Sequence, residues 1–262
     1  MPDEFAPFRV SNEIADDAAA LRARLGEDGY LFFRGIGPVD RITEARRDVT
    51  GLLASAGWID PTEPEAARWN QAVGPFTEGE TPYMELYRKV IHLPSFLAIP
   101  EAPVFLRLIE RIVDGPAICH RLRIGRITFP NNIVQTTAAH QDWHYIRGTA
   151  ETYTVWQPLV DCPVALGPLA VLTGSHRAGF IEHREDRRKK YASMGLEDSQ
   201  IPAGQWVAGD FAVGDFVLFH SHTIHKALPN VTPDRLRLST DNRYQRAGSE
   251  VSAVSQGTHY NL

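Results

Sequence analysis

Cysteine is scarce in this sequence, and its scarcity excludes two kinds of stabilisation. Cys119 and Cys162 are the two cysteines among 262 residues, and they form no Cys-x-x-Cys pair. A disulfide framework or a thiolate zinc site needs more cysteines at closer spacing. We therefore expect both thiols to be free, as in the reducing cytoplasm.

Long apolar runs and an excess of positive charge are also missing. No stretch approaches the ~18 consecutive apolar residues of a membrane span, and the opening MPDEFAPFRV is acidic where a signal peptide would be basic. The net charge of −5 offers no positive field to nucleic acid phosphates. These features predict a cytoplasmic protein that acts on a small molecule, without a nucleic acid or membrane partner. They leave the oligomeric state open.

The first 120 residues combine helical spacing of apolar side chains with one buried strand. The chain is 43% hydrophobic and 23% charged, which is an ordinary globular composition. Apolar periodicity, caps and glycine stops predict a helix capped by Ser11 or Asn12 and ended by Gly26 or Gly29, a strand at Tyr30–Phe33, a helix from Pro38 to about Gly57, and a helix at Ala102–Val113. We expect these helices to pack on a sheet.

Two segments lack a clean period and are predicted to cover the site. Residues 58–82 contain four prolines and two glycines, and their apolar residues Trp69, Val73 and Phe76 follow neither a helix nor a strand. We interpret this segment as a lid that closes over a substrate. Residues 177–205 are predicted to be flexible too, and the mixed charges of HREDRRKKY within them indicate a solvated surface.

From Arg121 onward the pattern changes to short strands separated by turn residues. They are predicted at Leu122–Phe129, Ile133–Thr137, Tyr153–Leu159, Leu169–Leu172, Asp215–Phe219 and Leu236–Tyr244. This rhythm is typical of an antiparallel barrel or jelly roll. We predict a mainly β fold with flanking helices and one domain, 1–262, in which residues 1–120 give helical support and residues 121–250 form the catalytic core.

Histidine is concentrated in the β-rich half, which suggests a metal site. Seven of the ten histidines lie between His140 and His225. In the segment His140-Gln141-Asp142 the imidazole and the carboxylate are two residues apart, so on an extended chain both face one side. His225, which follows the apolar run 216–219, can supply a third ligand. Two histidines and one carboxylate are the ligands of non-haem Fe(II) oxygenases.

An arginine after His225 suggests the cosubstrate. Iron held by such a triad needs a reductant for dioxygen, and the far carboxylate of 2-oxoglutarate suits a bidentate guanidinium. Arg235 and Arg237 both lie at a suitable distance along the chain. Being two apart on a predicted strand, they are expected to face the same way, so the spacing leaves both open.

Longer motifs resemble a known family. The segments HQDWHYIRGT, TVWQPLVDCPVALGPLAVLTGSHRAG and GDFVLFHSHTIHKALPN, followed by RLRLSTDNRYQ, are similar to bacterial members of the phytanoyl-CoA dioxygenase family of Fe(II)/2-oxoglutarate oxygenases, and the opening DGYLFFRG is similar too. The resemblance covers most of the chain. It implies a double-stranded β-helix, a cupin-like jelly roll, with His140, Asp142 and His225 as Fe(II) ligands.

The resemblance also implies roles for further residues. The family's arginine for 2-oxoglutarate lies seven residues before an aromatic, which selects Arg237 before Tyr244 over Arg235. The family pattern His-x-Ala-x-x-Asn selects His225 as the distal ligand over His220 and His222. Gln135 is a candidate donor to 2-oxoglutarate, and Trp156 is either a core residue or a wall of the cosubstrate pocket. His144 is a candidate for substrate contact or loop support, and His176 for a turn.

These features predict an oxygenase that converts 2-oxoglutarate to succinate and CO₂ while oxidising an unactivated C–H bond of a metabolite or natural-product intermediate. Asp142 favours hydroxylation or a related oxidation, because halogenating relatives replace this carboxylate with a small residue. Three alternatives remain: a jelly-roll binding protein without turnover, a cupin-like zinc isomerase or hydrolase, and an acyl-CoA hydroxylase as the family name suggests. The sequence does not identify the substrate.

Overall fold

The computed structural model describes residues 5–132, 136–185 and 194–260. Helices dominate the N-terminal part and are α1 (Ala18–Asp28), α2 (Val39–Ser55), α3 (Thr81–Val90), α4 (Pro94–Ala98) and α5 (Pro103–Val113), with α6 (Trp143–Ile146) inside the β region. The helix predicted to start at Ser11 or Asn12 begins later, at Ala18. The reason is the side chain of Asp17, which accepts hydrogen bonds from the backbone N–H groups of Ala19 and Ala20.

In the described ranges, ten strands form two larger antiparallel sheets and one short pair. They are β1 (Tyr30–Phe33), β2 (Ala117–Thr128), β3 (Thr152–Pro158), β4 (Leu169–Leu172), β5 (Arg184–Glu185), β6 (Met194–Gly195), β7 (Trp206–Val207), β8 (Phe216–His220), β9 (His225–Ala227) and β10 (Arg237–Arg246). The major sheet has the order β1-β8-β3-β10-β2, the minor sheet has the order β7-β4-β9, and β5 pairs with β6. This architecture confirms the predicted mainly β fold with a jelly-roll core and flanking helices.

The two faces of the major sheet differ in chemistry. One face packs on the helices: the Phe105 ring of α5 lies 5.0 Å from the Phe216 ring, and the Tyr244 hydroxyl donates to the carbonyl of Pro100 at 2.8 Å. Because side chains alternate along a strand, β10 turns Tyr244 toward the helices and sends Arg237, Asp241 and Arg243 to the opposite face. That face encloses the polar interior of the jelly roll.

Some predicted boundaries are wrong in detail. Residues 133–135 of the strand predicted at 133–137 lie outside the described residues, and the two that follow belong to no strand. The boundary expected at residue 120 falls inside β2 (Ala117–Thr128). Both cysteines are free, as predicted. Within the described ranges, no helix combines the length and apolarity needed to cross a bilayer.

The segment 58–82, which the sequence predicts to be a lid, packs some of its aromatic residues against the core. The Trp58 ring lies 4.9 Å from that of Phe76 and 5.3 Å from that of Phe129, and the Trp69 ring meets Phe129 edge-on at 5.8 Å. These aromatic residues find partners far away in sequence, which no local period reveals. Trp58, Ile59 and Ala67 are buried and make this part of the segment a wall of the core, whereas its other residues are partly or fully exposed and its C-terminal part borders a cavity.

Candidate active site

Three potential metal ligands meet where the chain preceding α6 pairs with β9. His140 and His225 form an isolated antiparallel bridge in which the N–H of each donates to the carbonyl of the other at 3.0 Å. Asp142 follows two residues after His140 and precedes α6. One ligand atom from each residue lies within 4.8 Å of the others, and all three side chains are buried. The described residues contain no other His, Cys, Asp or Glu group of this kind.

Backbone carbonyls fix the orientation of both imidazoles. Nδ1 of His140 bonds to the carbonyl of Ala138 at 2.8 Å, and Nδ1 of His225 bonds to that of Thr223 at 2.9 Å. Each Nδ1 therefore carries a proton, and each Nε2 keeps its lone pair for a metal. Both Nε2 atoms lie 3.7 Å from Oδ1 of Asp142.

The protonation states of the triad also suit a divalent cation. Burial lowers the pKa of His225 to about 3, so its imidazole is neutral at neutral pH. Burial alone would raise the pKa of Asp142, but the Arg243 guanidinium together with His140 and His225 outweighs burial and holds that pKa well below its ordinary range. The site thus presents a carboxylate beside a neutral imidazole, and a metal binding there would not have to displace protons from either.

Arg243 and Thr154 hold the Asp142 carboxylate from the side opposite the histidines. Arg243 donates from Nε to Oδ2 at 3.2 Å and from Nη2 to both oxygens at 3.0 and 3.1 Å. The Thr154 hydroxyl donates to Oδ2 at 2.5 Å. Burial opposes the charge of Arg243, yet Asp142 and Asp241 raise its pKa, so it stays a cation. The metal ligand is fixed by β3 and β10 of the major sheet.

A cavity of about 380 Å³ extends from the triad into the jelly roll. Its walls combine the three ligands with interior polar and apolar side chains, namely Arg126, Thr137, Thr154, Trp156, Leu169, Phe219, Ala227, Arg237, Asp241 and Arg243. A second cavity of about 490 Å³ lies under Phe76 and Thr77 and shares Arg126 and Arg237 with the first. Together they lead from the loop before α3 to the triad.

Arg237 is a cation of this cavity for which the described residues provide no hydrogen-bonded carboxylate. It is buried, donates from Nη2 to Thr128 Oγ1 at 3.0 Å and from Nη1 to the carbonyl of Gly167, and its Nε has no partner in the described part of the chain. Burial lowers the pKa of Arg237, because removal from water disfavours the charged form of the guanidinium. A bound anion would stabilise that charged form. Arg235 does not share this position, because it lies before β10 in a backbone bridge with Arg68.

The structure places the other two cosubstrate candidates differently. Trp156 lines the cavity and also packs edge-on against Phe211 at 4.9 Å, so it is both a cavity wall and a core residue. Gln135 lies outside the described residues, and its predicted contact with 2-oxoglutarate stays a prediction.

The remaining histidines do not join the triad. Nε2 of His220 lies 3.7 Å from the Glu151 carboxylate, and the His222 ring packs against Trp143 at 5.7 Å. His144 stacks on His183 at 4.3 Å, which supports the chain around α6. His176 lies in a short 3₁₀ helix after β4 and was expected in a turn.

Sequence reasoning missed three side chains that surround the ligands: Arg126, Thr154 and Arg243. Arg126 of β2 forms ion pairs with Glu78 at 3.2 Å and with Asp241 at 3.4 Å. A signal existed in the RLSTDNRYQ segment, because Arg243 is an even number of residues from Arg237 and must share its face of β10. The identity of its partner depends on tertiary packing that the sequence does not display.

The residues present fit an iron centre with 2-oxoglutarate. The donor set is two imidazoles and one carboxylate, which is typical of Fe(II) and contains no thiolate. Arg237, with its unpartnered Nε, supplies a buried cation for the distal carboxylate of the cosubstrate. His140, Asp142 and His225 would hold the metal, and Arg237 would hold the anion.

Comparison with known proteins agrees with this geometry. A family model described as phytanoyl-CoA dioxygenase (PhyH) matches residues 25–238. The 1-deoxypentalenic acid 11-beta-hydroxylase of Streptomyces arenae is 27% identical over 265 aligned positions, which cover 95% of this chain and 88% of that protein.

Two solved structures share the fold. The epimerase SnoN in complex with Fe³⁺, alpha-ketoglutarate (2-oxoglutarate) and nogalamycin RO has a TM-score of 0.61 at 22% identity, covering 90% of this chain and 86% of its own. The non-heme monooxygenase ThoJ in its apo form has a TM-score of 0.62 at 19% identity, covering 89% and 80%.

Proposed function

Because the chain belongs to the phytanoyl-CoA dioxygenase (PhyH) family, we propose that it is an Fe(II)- and 2-oxoglutarate-dependent oxygenase of small-molecule metabolism. The observation that carries this proposal is one cavity that joins a buried His-Asp-His triad to a buried arginine without a carboxylate partner. We further propose that residues 1–262 work as one domain, with the helices supporting the jelly roll.

Each side chain of the site has a separate task in this reaction. When bound, Fe(II) and 2-oxoglutarate would supply the electrons that activate dioxygen, which is the oxidant, and the cosubstrate would leave as succinate and CO₂. His140 and His225 offer Nε2, because their Nδ1 protons are engaged by backbone carbonyls. Arg237 orients the cosubstrate through its distal carboxylate, and Trp156 walls the cavity beside it.

The proposed substrate is a natural-product intermediate, and the proposed reaction is hydroxylation of an unactivated C–H bond. The relative from Streptomyces arenae is named as a hydroxylase of a deoxypentalenic acid, which supports hydroxylation. SnoN is named as an epimerase, so another oxidation at the same kind of centre is the second outcome to test. Asp142 retains the carboxylate that hydroxylation requires.

The decisive experiment is an anaerobic reconstitution with Fe(II) followed by a 2-oxoglutarate turnover assay in air. We expect succinate to form slowly without substrate and to disappear in the His225→Ala variant, while His222→Ala keeps this activity. Zinc-dependent turnover without 2-oxoglutarate would instead support the cupin-like hydrolase, and ligand binding without succinate would support a binding protein. A substrate panel that includes terpenoid acids and acyl-CoA thioesters tests the substrate class.

A further inference from the structure

The Asp142 carboxylate has its two oxygens in different environments. Oδ2 accepts the Thr154 hydroxyl at 2.5 Å and the Arg243 Nε at 3.2 Å, with Nη2 of Arg243 a further 3.0 Å contact. Oδ1 accepts Arg243 Nη2 at 3.1 Å and lies 3.7 Å from Nε2 of both His140 and His225. A carboxylate oxygen has about two acceptor positions. Those of Oδ2 are filled, whereas Oδ1 keeps one next to the imidazoles.

We propose that Arg243 and Thr154 are positioning residues that make Asp142 a metal ligand through Oδ1 alone. This inference rests on the proposed function, since it concerns how the triad receives Fe(II). Thr154 and Arg243 occupy Oδ2 from β3 and β10, and they prevent the carboxylate from rotating that oxygen toward the histidines.

One-oxygen binding matters because of what the reaction must fit around the metal. A triad with one donor atom from each residue would leave three coordination positions of the metal open. 2-Oxoglutarate would need two of these positions and dioxygen the third. A carboxylate that chelated through both oxygens would occupy one of those positions. The contacts of Arg243 and Thr154 thus protect the space in which the cosubstrate binds.

Arg243 is itself held in a fixed orientation. Its Nη2 lies 2.8 Å from Oδ2 of Asp241, and its Nη1 donates to the Asp241 carbonyl at 3.2 Å. Asp241 in turn pairs with Arg126, which pairs with Glu78. Because both side chains of the Arg243–Asp142 pair are buried, neither can turn to water instead. The fork of the guanidinium, rather than its charge alone, is what sets the carboxylate plane.

Thr154→Val removes one donor without changing charge or shape, and it is the first test. Apoprotein is titrated anaerobically with Co(II), and the visible absorption of the bound metal is followed. We expect the Co(II) dissociation constant of Thr154→Val to rise about 10- to 100-fold, the usual cost of losing a hydrogen bond to a metal ligand. Thr154→Ser is expected to restore wild-type affinity, because it keeps the hydroxyl.

Thr152→Val is the matched control. Thr152 is buried two residues earlier on β3, and its hydroxyl donates to the carbonyl of Thr149 at 2.9 Å, away from Asp142. We expect its Co(II) affinity to stay within about threefold of wild type. Equal weakening in the two valine variants, or wild-type affinity in Thr154→Val, would overturn the assignment of Thr154.

Arg243→Lys keeps a cation but removes the fork. With Asp142 free to present both oxygens, we expect the affinity of the Co(II)-loaded protein for 2-oxoglutarate to fall at least tenfold. Urea unfolding with metal bound monitors the fold, and a merely structural pair would lower stability without this selective loss of 2-oxoglutarate binding. If Arg243→Lys binds 2-oxoglutarate as wild type does, the positioning role is wrong.

Failure of the proposed function would look different. In that case the wild-type protein would either bind no Co(II) at the triad, so that His140→Ala titrates like wild type, or bind Co(II) there without binding 2-oxoglutarate. Only the present inference would be refuted if Co(II) binding depended on His140 but not on Thr154, and if 2-oxoglutarate binding did not depend on the guanidinium of Arg243.

Discussion

His140 and His225 are joined twice, by a reciprocal pair of backbone hydrogen bonds at 3.0 Å and by rings whose centroids are 4.1 Å apart. Because the two ligands face each other across a bridge, their spacing is set by strand register and not by side-chain flexibility. A slip of one residue would turn one imidazole to the other face. The metal site is therefore as rigid as the pairing that carries it.

Removing a ligand is expected to abolish metal-dependent turnover, but the three variants differ in stability. His140→Ala and His225→Ala should lose succinate formation and keep a folded chain. Asp142→Ala removes one of the two carboxylates that pair with the buried Arg243. We therefore expect an additional loss of about 3 to 5 kcal/mol in the free energy of unfolding. Urea denaturation of the apoproteins measures this difference. Equal stability of all three variants would contradict the importance of the buried pair.

Arg237→Ala should raise the apparent KM for 2-oxoglutarate far more than Arg235→Ala. Loss of a buried cation that pairs with a carboxylate costs about 2 to 5 kcal/mol, equivalent to roughly 30-fold or more in affinity. Arg237→Lys should recover part of the loss, because it offers a point charge without the fork. Equilibrium binding of 2-oxoglutarate to the Co(II)-loaded variants tests whether their affinities follow this expected order. Similar effects at Arg235 and Arg237 would remove the distinction that the structure draws.

The triad could be predicted from sequence because its geometry is local. His140 and Asp142 are two residues apart, and His225 follows an apolar strand, so alternation and one strand pairing suffice. The choice of Arg237 as the residue that binds 2-oxoglutarate required the family pattern, because spacing along the chain did not distinguish it from Arg235. Strand β10 begins at Arg237 and Arg235 lies before it in a separate backbone bridge, so the two arginines do not share one strand as was expected.

Contacts between distant segments account for what the sequence did not reveal. Arg243 and Asp142 are 101 positions apart; Arg243 lies on β10 of the major sheet, whereas Asp142 is placed by the bridge between His140 and His225. The packing of the aromatic residues in segment 58–82 could not be predicted for a related reason. Trp58 and Phe129 come from different layers of the fold, and an irregular sequence can still be well packed when its aromatic rings have such partners.

Hydrogen exchange is expected to divide the segment 58–82 into two parts. The amide of Asn70 donates to the carbonyl of the buried Trp58 at 2.8 Å, so we expect slow exchange there even without ligands. Residues 76–80 border the cavity and should exchange faster, then slow when substrate binds. Deleting residues 61–80 would therefore unfold the wall as well as open the cavity. Uniform protection across both parts would show that nothing in the segment closes.

The C-terminal residues are expected to restrain the cavity-side loop. The Tyr260 hydroxyl donates to Glu78 at 2.5 Å, and Nδ1 of His259 lies 2.6 Å from the hydroxyl of Tyr87. Truncation after Gly257 should accelerate exchange of the amides at 77–80 and leave the amides of β8 unchanged. Val254→Ala, an exposed change nearby, is the control. Unaltered exchange in the truncated protein would mean that the loop is held by its other contacts, such as those of Arg126 with Glu78 and of Asn132 with Thr77.

Acid is expected to destabilise the protein through His120, which is buried at 3% exposure. Burial lowers the pKa of His120 to about 4, and its Nε2 bonds to Oε1 of Gln245 at 2.7 Å. The unfolded chain has a histidine pKa near ~6.5, so between these values it binds a proton that the folded chain rejects. The contribution of the neutral His120 to the free energy of unfolding is therefore fully present above about pH 6.5. As the pH falls below that value, this contribution decreases by about 1.4 kcal/mol per pH unit, or about 3 kcal/mol in all by pH 4.

Replacing His120 tests this sign and magnitude directly. His120→Gln cannot titrate, so its free energy of unfolding should depend less on pH between 6.5 and 4.5 than that of wild type, by about 1.4 kcal/mol per pH unit at most. Exposed His92 gives the matched control, His92→Gln, for which we expect the wild-type slope. Urea unfolding of metal-free protein at each pH keeps the triad in the same state in all three chains. A wild-type slope in His120→Gln would assign the acid sensitivity to other buried histidines, with His225, whose pKa is held near 3, the next to examine.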